Sequence, residues 1–105
     1  MYSFNGNGRL TMSHKERVEM YLGADSEAMA MDGYDDCIAG VLERYGMDQI
    51  IVYDKEKIIT RHMDDGMTHE EAVEYFEYNQ LGAWVGDGTP AFITTSSSID
   101  FLYSE

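Results

Sequence analysis

The chain has 105 residues, 20 acids against seven bases, a formal charge of −13 and 12% aromatic residues. That length fits one domain, and the aromatic content is above what disordered chains carry. The charge argues against direct binding to nucleic acid or to an anionic membrane, which need a basic face. It leaves two uses for the acidity: docking on a basic protein surface, or solubility alone.

In chain order, Met1–Gly6 has no basic region followed by an apolar run, so no secretory signal is expected. Residues 1–12 are a loose arm or a hairpin, with Gly6-Asn7-Gly8 as the turn between Tyr2/Phe4 and Leu10/Met12. Ser13-His14-Lys15-Glu16 is a capping box that opens a helix with Val18, Tyr21 and Leu22 at helical spacing and Gly23 at its end. Ser26–Met31 is expected to add a short helical turn. In Tyr34–Tyr45, Ile38, Val41, Leu42 and Tyr45 fall at i, i+3, i+4 and i+7, which favours a helix capped by Asp35 and closed by Gly46. Gly40 inside it weighs against that reading by about 1 kcal/mol relative to Ala, and a strand stays open.

Gln49–Tyr53 is the best strand, rich in β-branched residues. Asp54 caps the next helix, whose buried stripe is Ile58, Ile59, His62 and Met63, with Gly66 closing it. Thr68-His69-Glu70-Glu71 is a second capping box. It opens a helix over residues 68–80 with Ala72, Val73 and Phe76 inward, Glu70, Glu74 and Glu77 outward, and Gly82 beyond its end. Ala83-Trp84-Val85 and Ala91-Phe92-Ile93 read as strands around a glycine-rich turn, with Trp84 buried against Ala72, Val73 and Phe76. Thr94–Ser98 reads as a turn and Ile99–Tyr103 as a last strand. The expected class is α+β: one domain over residues 1–105, about four helices on a small, mostly antiparallel sheet.

No chemical motif is complete. His62, Asp64, Asp65 and His69 lie close in sequence but on different faces of two helices, without the i, i+4 pairing a metal site needs. Calcium loops fail because Ala28 and Arg61 fall where a carboxylate is required. Cys37, the one cysteine, forms no internal disulfide, suits a reducing cytoplasm, and sits beside Asp35 and Asp36, which raise a thiol pKa. Gly82–Gly88 is followed by Pro90 and a strand, with no Lys after Lys57, so it is not a phosphate cradle. No cofactor and no metal is expected, no run of about 18 apolar residues spans a membrane, and an enzyme is the least favoured class.

The acids are unevenly spread. Residues 62–105 hold nine acids and no Lys or Arg. Tyr75 and Tyr78 sit among Glu70, Glu71, Glu74 and Glu77 on one helix. Carboxylates attract a basic groove, and Tyr is enriched at binding hot spots. These six are the candidate partner-binding residues; the competing reading packs one of the two tyrosines into the core.

Four segments occur in one order at short spacings: Tyr53-Asp54, Gly66-Met67-Thr68, Glu70–Asn79 and Gly82–Phe92. Across residues 34–93 the chain resembles a group of short acidic proteins encoded by phages, prophages and some bacteria. The resemblance assigns no residue a role. It implies a small accessory protein that binds and inhibits a host protein, defence nucleases and nucleic-acid-binding complexes included. The expected function is therefore an acidic module acting on a basic host surface, as a nucleic-acid mimic or anti-defence inhibitor. The alternative is a structural or housekeeping component of phage or host, acidic for solubility only.

Overall fold

The computed structural model describes the backbone of residues 3–4 and 10–103 and the side chains of residues 12–99. Strands β1 (Ser3–Phe4) and β2 (Leu10–Thr11) pair antiparallel. The Gly6-Asn7-Gly8 turn expected between them lies outside the described residues. Helix α1 (His14–Leu22) starts where the capping box requires: the Glu16 N–H donates to the Ser13 hydroxyl at 3.1 Å, and the Ser13 N–H donates to the Glu16 carboxylate at 3.3 Å. Val18 is its buried residue, while Tyr21 is exposed and donates to the Glu43 carboxylate. Residues 26–31 are irregular rather than helical. The Met31 N–H donates to the buried Tyr53 hydroxyl at 2.7 Å, which holds this segment open against the core.

The helix expected over Tyr34–Tyr45 does not form. A single 3₁₀ turn (Asp35–Cys37) leads into strand β3 (Ile38–Arg44), which pairs antiparallel with β4 (Met47–Asp54). The two-residue connection is Tyr45-Gly46, with Gly46 at φ +74° and a register shift between Leu42 and Arg44. A left-handed glycine serves a helix end and a hairpin equally. What decides is the partner: β4 buries Ile50, Ile51, Val52 and Tyr53 in succession, as a central strand covered on both faces does.

β5 (Ala91–Ile93) lies on the other side of β4 and runs parallel to it, so the three-stranded sheet β3-β4-β5 is mixed. The crossover between β4 and β5 carries helices α2 (Lys55–Asp64) and α3 (His69–Phe76). Asp54 caps α2 by accepting the N–H groups of Glu56 and Lys57. Ile58, Ile59 and His62 are buried as expected, but Met63 is exposed. Helix α4 (Ser96–Tyr103) replaces the expected last strand. The Ser98 N–H donates to the Thr95 hydroxyl at 3.2 Å, and the Ile99 N–H to the Thr95 carbonyl at 3.0 Å, so the run read as a turn is the helix start.

The core joins Val18, Cys37, Ile38, Ile51, Tyr53, Ile58 and Phe76. Phe92 of β5 meets the Phe76 ring edge-on at 4.9 Å between centroids, which ties α3 to the sheet. The architecture is α+β, four helices with a small sheet, as the composition and spacing imply.

Candidate docking face

Helix α3 is positioned by its cap and by its buried side. The Thr68 hydroxyl accepts the Glu71 N–H at 3.2 Å, and the Glu71 carboxylate accepts the Thr68 N–H at 2.9 Å. The N–H bond to the carboxylate favours its ionised form and, with a smaller contribution from the Thr68 side chain, holds Glu71 below the usual glutamate pKa. Ala72 and Phe76 are fully buried and Val73 partly so. With that side fixed, residues 71, 74, 75 and 78 fall at i, i+3, i+4 and i+7 on the opposite one.

Those four side chains share an open groove. Glu71, Glu74, Tyr75 and Tyr78 line it together with Met67 and Asn79, around a volume of 320 Å³. Glu70 and Glu77 are exposed on the adjoining stripe and do not line it. Of the six candidates, the fold gathers four and leaves two at the margin. Met67 and Asn79 were not singled out from the sequence; helical spacing on the far side of Glu71 and Tyr75 was the signal.

The two tyrosines differ. Tyr78 is 76% exposed, whereas Tyr75 is 42% exposed and leans on a buried ring. That ring is His62, 3% exposed, which Tyr75 meets edge-on at 4.9 Å. His62 Nε2 is also 2.9 Å from the Gln80 side-chain oxygen. Gln80 lies in a π-helical turn (Glu77–Leu81) that widens the end of α3. Such wide turns are uncommon and concentrate at functional sites. His62 is thus the residue that joins α2, Tyr75 and the π turn.

No cation neutralises this face. Among the described residues the one ion pair is Lys15–Glu19, at 3.9 Å on α1. Two of the three Lys and Arg residues of α2 lie over rings instead: the Lys55 ammonium is 5.6 Å from the Phe76 centroid and the Arg61 guanidinium 5.4 Å from that of Tyr34.

Trp84 is not where the spacing put it. Ala83–Val85 is an irregular loop, and Trp84 is 72% exposed rather than buried against Ala72, Val73 and Phe76. Phe92, the second residue of β5, fills the space beside Phe76 that Trp84 was expected to take.

Other chemistry-bearing groups are scattered. Burial pushes the Cys37 thiol up, with Asp36 adding to the effect and Arg61 and Lys57 opposing it. Tyr53 is raised by burial and Tyr21 by its bond to Glu43. Tyr21, Glu71 and Cys37 line three separate cavities. Among the described residues no three His, Cys, Asp or Glu side chains are placed to hold a metal ion, and no helix is long and apolar enough to cross a membrane.

No known protein family, curated protein or solved structure matches the chain.

Proposed function

We propose that the chain is a small acidic binding module of the phage accessory kind. In this reading it acts in the host cytoplasm, docks the α3 face on a basic protein surface and modulates that protein, as a nucleic-acid mimic or anti-defence inhibitor. One observation carries the reading: Glu71, Glu74, Tyr75 and Tyr78 line a single open groove whose carboxylates have no cationic partner among the described residues. Adjacent acids a turn apart lie roughly 5–6 Å apart between Cβ atoms and repel by a few tenths of a kcal/mol per pair. A cationic partner relieves that repulsion on docking and is steered to the face by it.

The test is affinity capture from host lysate with the wild type and with the Glu71→Gln/Glu74→Lys variant, which changes both carboxylates of the groove, at low and at high salt. A partner that the wild type holds at low salt, and that both the variant and high salt release, supports the reading. A partner held equally by the variant at physiological salt places the interface elsewhere.

The structural alternative draws on one observation of its own, the exposed Leu81, Trp84 and Val85. It predicts self-association that strengthens with salt, as the like charges of two copies are screened.

A further inference from the structure

Along the chain, α3 and its π turn lead into a loop that keeps apolar side chains in water. Leu81, Trp84 and Val85 are all exposed, next in sequence to the exposed Tyr78. This loop is held in place. The Ala83 N–H donates to the Gln80 carbonyl at 3.2 Å, against the end of the π turn. The Val85 N–H donates to the Thr89 hydroxyl at 2.9 Å, and that hydroxyl donates to the Gly86 carbonyl at 2.6 Å. The Met29 N–H donates to the Gly88 carbonyl at 3.0 Å, which anchors the far side of the loop. An ordered loop that presents the only tryptophan to solvent forgoes burial that Trp normally supplies.

We propose that Trp84 and Tyr78 form the aromatic anchor of the α3 docking face, and that its partner is a cationic protein groove that itself carries aromatic or apolar side chains. This rests on the reading of α3 as a docking face and names the chemistry of the surface it meets. A row of carboxylates beside exposed rings reproduces the two features by which single-stranded nucleic acid is held: backbone charge along a basic groove, and flat faces stacked on aromatic side chains. A surface that grips only the phosphates of a duplex offers nothing to an exposed ring, because there the base faces are stacked inside. A second copy of this chain is disfavoured as the occupant, since residues 62–105 hold nine acids and no Lys or Arg and two such halves repel. Charge therefore selects a cationic partner, and the rings select one that is not purely cationic.

Two peptides of equal length and charge test this on the full chain at low salt, one repeating Lys-Gly-Phe and the other Lys-Gly-Ala. The Phe peptide is expected to bind roughly tenfold tighter, the scale of one stacked aromatic contact, and to shift Trp84 emission to the blue. The Trp84→Ala/Tyr78→Ala variant removes that preference, binding the two peptides with equal affinity, and keeps the wild-type circular dichroism. Equal affinity for the two peptides, or Trp84 emission that does not move at saturation, overturns the anchor. The Glu71→Gln/Glu74→Lys variant separates the two layers. If it weakens both peptides while they bind equally, the anchor alone is wrong. If it weakens neither, the docking face is wrong as well.

Discussion

At the scale of single residues, Thr68 and Glu71 carry the most explicit energetics. Thr68→Ala removes the side-chain half of the capping box and is expected to cost about 1 kcal/mol, read as a lower denaturant midpoint. The same change should bring the Glu71 pKa part of the way back up in a carboxyl NMR titration, the backbone bond from Thr68 remaining. Because the folded pKa of Glu71 lies below its unfolded value, its stabilising effect is present above that unfolded value, about 4.3, and is lost as pH falls through the folded one. Acidification should therefore fray the start of α3. Cys37 makes the opposite kind of statement: buried and with its thiol pushed up, it is expected to resist alkylation in the folded protein and to react once the chain is unfolded. Fast labelling of the native state would contradict its burial.

At the scale of elements, the sequence was legible wherever local chemistry alone decides. Both capping boxes and the Asp54 cap are set by side chains that act within four residues of themselves, and β4 is marked by its run of β-branched residues. Misreadings fall where a distant partner decides. The Ile38–Tyr45 spacing fits a helix, and only pairing with β4, whose Ile50–Tyr53 are buried, makes Ile38–Arg44 a strand. Ile99–Tyr103 is the exception: a local cap, the Ser98 N–H on the Thr95 hydroxyl, starts α4 where a turn and a strand were expected. In the candidate site, the four groove residues share one helical stripe and so were readable. Trp84 was not, because its exposure depends on Phe92 occupying the space beside Phe76 and on how the loop seats against residues 27–29. Gly88 is the seat: a Cβ there would lie 2.2 Å from the Glu27 carbonyl oxygen, backbone against backbone. Gly88→Ala is expected to destabilise the fold by about 1–3 kcal/mol, the usual range for overpacking, and to release the loop. A melting temperature equal to wild type would mean that the loop is not seated there.

At the scale of the whole molecule, charge is divided unequally. The seven bases all lie within residues 1–61, and residues 62–105 add nine acids. Self-repulsion of this kind limits association of like copies and weakens with salt, so added salt is expected to raise the melting temperature modestly while it weakens cationic ligands. Acids are not confined to α3, however: Asp25, Glu27, Asp32, Asp35 and Asp36 crowd the segment between α1 and β3. Total charge therefore does not single out a face; the proposed interface rests on the groove and its rings. The direct measurement is amide chemical-shift mapping of the chain during titration with the Lys-Gly-Phe peptide. Shifts concentrated on residues 67–85, with Glu71, Glu74, Tyr75, Tyr78 and Trp84 among the largest, are the expected result; shifts centred on residues 25–36, or spread evenly over the acidic surface, would contradict a docking face on α3.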